Sequence, residues 1–188
     1  KIATFCFALF CITTNVNAQS ITPQASSGQT IEQDFGLGKI SLNYFRPNGK
    51  DRKIFGDLVP YGKVWRTGAN TATTITFSED VSMGGQKITA GKYGLFTIPG
   101  EKEWTIILNK NAAQWGSYTY NESEDVLRIK VKPFAVTPKV ETFTIQFTNV
   151  KAGSLDLSIS WENTGVIIPF TVDFDAKVMA NIDAAMKT

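Results

Sequence analysis

From residue 29 onward, apolar and polar positions alternate with a period of two. Val126-Leu127-Arg128-Ile129-Lys130-Val131-Lys132 carries its charges on one face only. Phe143-Thr144-Ile145-Gln146-Phe147 and Leu155-Asp156-Leu157-Ser158-Ile159-Ser160-Trp161 behave the same way. One wet face and one dry face are what an antiparallel sheet lying over a core requires. Such runs, rich in Thr, Ile, Val, Phe and Tyr and bounded by Gly, Asn or Pro, predict strands near 29–35, 39–45, 71–77, 81–83, 91–98, 104–109, 126–132, 140–150, 154–162 and 166–174. Gly84-Gly85, Pro99-Gly100 and Gly153 mark turns, and Glu162-Asn163-Thr164-Gly165 reads as a hairpin-like corner. Strands without interleaved helices predict an all-β fold, an antiparallel two-sheet sandwich or jelly roll over 29–174, with an open barrel as second choice.

The two ends break this pattern. Residues 2–12 are nearly unbroken apolar, preceded by Lys1 and followed by Val16-Asn17-Ala18, with small residues three and one positions before Gln19. That arrangement predicts a signal peptide over 1–18, cleaved after Ala18, and hence an exported, periplasmic or extracellular protein. The apolar run is too short for a spanning helix, which needs about 20 residues. Residues 19–28 are small and polar and read as a flexible lead-in. From 175 to 188, Ala176, Val178, Met179, Ile182, Ala185 and Met186 recur at helical spacing. They predict a short C-terminal helix that reads as truncated, the start of a further segment and a possible place for a partner to dock.

Composition then removes chemistry. The chain has 188 residues, no histidine and two cysteines, Cys6 and Cys11, both inside the expected leader. Catalysis by histidine, histidine-bound zinc and an imidazole switch are excluded. Past the leader, so are disulfides, thiolate catalysis and iron–sulfur clusters. No cofactor or metal is implied; Glu122-Ser123-Glu124-Asp125 has oxygen ligands but not the spacing of a calcium loop. The formal net charge of +2 lacks the basic excess of a nucleic-acid-binding domain.

Two segments do not alternate, and candidate chemistry gathers there. Residues 46–70 are long for a connection, since connections beyond ~12–15 residues are uncommon unless functional or disordered. Ile54, Phe55, Leu58, Val59, Tyr61, Val64 and Trp65 supply apolar surface for docking. Arg46, Lys50, Arg52, Lys53, Lys63 and Arg66 outnumber Asp51 and Asp57, giving this stretch a net charge of +4. One reading is a structural crossover, its charges solvated or paired with those aspartates. The other is a receiver for an anionic group through Arg52, Lys53 and Arg66, with Asn70 beside them, because guanidinium grips carboxylate or phosphate in a bidentate way. Residues 109–125 carry Trp115, Tyr118 and Tyr120 among amides and carboxylates. Aromatic faces flanked by such groups suit a sugar ring, and they also serve simply to close a sandwich.

The motifs R-K-I-F-G-D-L-V-P-Y-G-K-V-W-R-T-G-A-N (52–70), A-G-K-Y-G-L-F-T-I-P-G (90–100), the run from Trp104 to Tyr120, V-L-R-I-K-V-K-P (126–133) and L-S-I-S-W-E-N (157–163) resemble an exported bacterial family catalogued as domain of unknown function 2911. The likeness covers about 29–174. It implies an exported β-rich domain of a Bacteroidetes-like bacterium and transfers no catalytic residue. Together these readings favour a non-catalytic module that binds a glycan, a peptide or an anionic envelope component. A carboxylate-dependent hydrolase acting on an envelope or glycan substrate is the alternative, with Glu162 beside Trp161 as a candidate acid. A structural or assembly module docking through the C-terminal helix is another.

Overall fold

The structure is a computed structural model that describes residues 22–186. The expected signal peptide lies outside the described residues. Among the described residues, ten strands form two antiparallel sheets. The larger sheet takes β1 (Ser27–Phe35), β2 (Gly38–Arg46), β3 (Thr74–Phe77), β6 (Gly91–Ile98), β7 (Trp104–Asn109) and β8 (Asp125–Val131), adjacent in that order. The smaller takes β5 (Gln86–Ile88), β4 (Val81–Met83), β10 (Ser154–Thr171) and β9 (Phe134–Lys151). The alternating runs turn one face inward, so Trp104, Trp161, Tyr44, Phe77, Phe96, Phe143 and Phe170 are fully buried. This is the expected sandwich, and α1 (Asp175–Ala185) follows it as the expected helix.

The structure departs from the sequence reading in several places. Glu162-Asn163-Thr164-Gly165 does not end a strand. β10 runs through it, and register shifts on either side of Glu162 accommodate the residues that break the alternation. Glu162 itself takes φ +56°, the left-handed conformation that bends a bulged strand. The short β5 has no alternating stretch long enough to announce it. Finally, Ser27 and Gly28 of the expected lead-in already pair with Arg46 and Phe45 as the start of β1.

The two sheets are tied where β2 faces β9. The Tyr44 hydroxyl donates to Gln29 Oε1 at 2.6 Å and accepts from the Ile145 N–H at 3.0 Å. Arg46 donates from Nε to Phe143 O at 3.1 Å and from Nη2 to Thr144 Oγ1 at 2.9 Å. Arg46 is thereby a structural residue of the crossover.

β6 and β7 are buried on both faces. Their second face bears a small cluster of Ala72, Phe96 and Ile107, on which Val64, Ile98 and Tyr120 pack. Val64 and Tyr120 come from the two non-alternating segments, which fold together over one patch of sheet, and Ile98 is the end of β6 itself.

Candidate functional site

The basic loop is ordered because its apolar residues plug the sandwich end. Ile54, Phe55, Val59 and Trp65 enter the main core. Trp65 stacks on Trp161 at a centroid distance of 6.0 Å and 17° between planes, and meets Phe143 edge-on at 5.1 Å. Its indole N–H donates to Gly68 O at 3.0 Å. Trp65 also exchanges both backbone hydrogen bonds with Thr97, so the loop runs beside β6 as an extra edge. At the other end, Gly49 N–H donates to Glu141 O and Phe143 N–H donates to Pro47 O.

Two strained turns shape the surface. Lys50 and Asp51 take φ values of 51° and 55°, and Arg52 N–H closes the turn onto Gly49 O at 3.2 Å. Glu141 Oε1 accepts from the Lys50 N–H at 2.7 Å. Immediately after Arg66, Thr67, Gly68 and Asn70 take φ values of 55°, 153° and 54°. A buried β-branched residue at positive φ is a steric outlier and needs compensation. Here Thr73 Oγ1 donates to Thr67 O at 2.6 Å, and the Thr67 and Thr97 hydroxyls meet at 3.2 Å. Gly68 lies so close to β2 that an added Cβ would stand 2.8 Å from Phe45 O.

Between these turns lies a cleft of about 330 Å³. Trp65, Trp161 and Val59 form its apolar wall, and Lys50, Arg52 and Arg66 bring three cations to it. Ala25 and Ser26 close one side. Among the described residues, no aspartate or glutamate lines it. Arg52 is partly spent on the loop: its Nε donates to Gly49 O at 2.9 Å and its Nη2 to Asn48 O at 2.7 Å.

Arg66 is different. Among the described residues, its Nε is buried from solvent and has no hydrogen-bond partner. Burial draws its guanidinium below the usual arginine range, while the nearby Tyr118 phenol acts the other way. Among the described residues, none of the six basic side chains of this loop joins a salt bridge. The pairing with Asp51 and Asp57 that a purely structural crossover would use is therefore not made.

The aromatic segment folds against the same turn. Thr71 bridges to Trp115, Gly116 N–H donates to Asn70 O at 3.1 Å, and Ser117 Oγ donates to Val64 O at 3.2 Å. Trp115 and Tyr118 remain 65% and 85% exposed. Trp115 and Asn70 line a second cleft of about 300 Å³ with Gln24, Ala25, Ser26 and Phe45. Ala25 and Ser26 thus form a partition shared by the two clefts.

Of the residues singled out in the sequence, Arg52, Arg66, Asn70, Trp115 and Tyr118 come together on one end of the sandwich. Lys53 is exposed and lines neither cleft. Tyr120 turns inward onto Phe96 at 5.2 Å. Its hydroxyl donates to Asp125 Oδ2 and accepts from Arg128 Nη2, each at 2.6 Å. Sequence reasoning overlooked Lys50 as a wall residue, and Trp161 and Ala25-Ser26 altogether. Lys50 had a signal in Asn48-Gly49-Lys50-Asp51, whose turn chemistry aims the lysine. Trp161 reads only as an inward strand position, and Ala25-Ser26 carries no mark.

Elsewhere, no cluster of three or more acidic, cysteine or histidine side chains among the described residues could hold a metal. No described helix is long and apolar enough to cross a membrane. Helix α1 is anchored by Lys177 on Glu79 at 2.8 Å and leaves Met179, Ile182 and Met186 exposed.

Comparison with known proteins gives one positive result. Residues 26–170 match the sequence model of a family described as "Protein of unknown function (DUF2911)". No curated protein and no solved structure matches significantly.

Proposed function

Because the chain belongs to this DUF2911 family, whose description assigns no activity, we propose a function from the cleft itself: an exported, non-catalytic module that binds an anionic ligand on Arg66. The observation that carries the reading is the buried, partnerless Nε of Arg66 in a wall that also holds Lys50 and Arg52. A buried donor without an acceptor costs free energy. A carboxylate, phosphate or sulfate in the cleft answers the positive charge that burial disfavours, through the part of the guanidinium that faces the cleft, and that group is shaped to take two such oxygens at once. The apolar wall of Trp65, Val59 and Trp161 strengthens that attraction by excluding water. A two-carboxylate hydrolysis finds no acids in this cleft. Export is supported by the leader-like first eighteen residues and by a remainder free of cysteine.

The test is calorimetric titration and thermal shift with acetate, phosphate and sulfate at low and high chloride. Binding should raise the melting temperature, weaken with salt and vanish in Arg66→Met. Lys63→Met, a charge removed outside the cleft, should bind as the native chain does. Equal responses from both variants would show that only diffuse positive charge is being read.

A further inference from the structure

We propose that the ligand is an acidic saccharide, its carboxylate on Arg66 and a sugar ring lying on Trp115. The proposal rests on the anionic reading of Arg66 and extends it to the neighbouring cleft.

Three observations carry it. First, Trp115 exposes its ring at the second cleft and Tyr118 exposes its ring to solvent, whereas Trp65, Trp104 and Trp161 are buried. Holding a large ring in water has no packing purpose, and a flat π-face is what the C–H face of a sugar stacks on. The Tyr118 ring is nevertheless positioned: it lies over Gly116, where an added Cβ would stand 2.7 Å away. Second, polar groups able to meet hydroxyls surround Trp115. Asn70 is held at φ +54° with its amide toward Gln24 Oε1 at a long 3.4 Å, and Ser26 lies on the partition. An amide held by one weak bond is free to exchange it for a hydroxyl. Third, the charge and the ring belong to one framework. Thr71, five residues after Arg66, bridges to Trp115, and the Tyr118 phenol lies close enough to influence the Arg66 charge. The two clefts share Ala25 and Ser26, so a ligand longer than one ring reaches both.

An acidic peptide would satisfy Arg66 equally, but it has no use for a flat exposed indole flanked by an amide and a hydroxyl. A neutral glycan would use Trp115 and leave Arg66 unpaired. Only a saccharide that bears a carboxylate uses both.

The experiment titrates native protein, Trp115→Ala and Arg66→Met with oligosaccharides bearing glucuronate, galacturonate or sialate. Controls are the methyl esters of the same compounds, acetate, and a poly-glutamate peptide. Calorimetry is read together with acrylamide quenching of the exposed indole. At least one acidic oligosaccharide should bind about tenfold or more tighter than its methyl ester, acetate and the peptide, and should shield Trp115 from quenching. Trp115→Ala should bring that saccharide down to the level of acetate while acetate binding is unchanged. Trp115→Phe should recover part of the loss, and Arg66→Met should lose all of it. If acetate binds through Arg66 but no acidic saccharide exceeds it, or Trp115→Ala changes nothing, the saccharide assignment is overturned and the anion reading stands. If the peptide binds tightest, the ligand is an acidic peptide and the saccharide assignment falls. If nothing binds, both readings fail.

Discussion

Replacing Arg66 with methionine should stabilise the unliganded protein. Methionine retains most of the unbranched stem, so contacts along the cleft wall are largely kept. What disappears is a guanidinium that burial disfavours and whose Nε has no acceptor. An unsatisfied buried donor costs about 1–3 kcal/mol, and the loss of stem packing offsets part of that gain. A net of about 1 kcal/mol corresponds to a rise of about 2–4 °C in a domain of this size. The sign is the informative part, and a second arginine calibrates it. Arg128 donates from Nε to Asp125 Oδ2 at 2.6 Å and lies 3.0 Å from Glu122 Oε1, while the Asp125 side chain is only 8% exposed. Arg128→Met leaves a buried carboxylate with hydrogen bonds from Tyr120 and Asn109 but without its counter-charge, so the same substitution there should cost roughly 2 kcal/mol or more. Urea unfolding in a buffer free of phosphate, sulfate and carboxylates measures both. A midpoint for Arg66→Met below that of the native protein by about 1 kcal/mol or more would refute the argument. It would mean that Arg66 is held by the fold rather than held ready for a ligand.

Other predictions follow from the same geometry. Trp65→Phe removes the donor to Gly68 O and part of the stack on Trp161, and should destabilise by roughly 2–3 kcal/mol, read as a lower urea midpoint with unchanged slope. Gly68→Ala combines φ +153° with a Cβ 2.8 Å from Phe45 O, and should lower the melting temperature and weaken acetate binding together, because the residue also lines the cleft. Burial, and then the hydrogen bond to Asp125, pushes Tyr120 up to about 12. Between pH 10 and 12 the folded chain holds a proton that the unfolded chain has released, so stability falls across that window as pH rises. Tyr120→Phe should flatten the fall in an alkaline unfolding series. Ending the chain after Phe174 should shift the melting temperature by less than about 3 °C, since the helix meets the sandwich chiefly through Lys177 and Glu79.

Most strands were legible because they alternate against the main core, while β6 and β7, buried on both faces, were legible as short apolar runs between turn signals. 81–83, 91–98 and 104–109 coincide with β4, β6 and β7 residue for residue. The reading failed where partners decide. Glu162 to Gly165 looks like a corner, yet β9 lies alongside and continues the ladder past the bulge. The segment 71–73 looks like strand, but its N–H groups turn to loops: Ala72 N–H donates to Gln114 O and Thr73 N–H to Arg66 O.

The candidate site divides along the same line. An excess of arginine and lysine in 46–70 and an aromatic group in 109–125 are facts of composition, visible without coordinates. Composition also excluded histidine chemistry and left an oxygen-bearing anion as the natural ligand for that loop. It did not distinguish Arg66 from Arg52, Arg46 or Lys53, because hydrogen-bond partners are chosen in space. Arg46 is used on β9, Arg52 on its own turn, and Lys53 faces water, while the Nε of Arg66 is buried without an acceptor among the described residues. Nor did it separate Tyr120, closed onto Asp125 and Arg128, from Tyr118, left open beside Arg66. Local sequence determines which faces are dry and how much charge a loop carries. Which charge goes unanswered depends on contacts between residues far apart in the chain, and only the folded sandwich decides those.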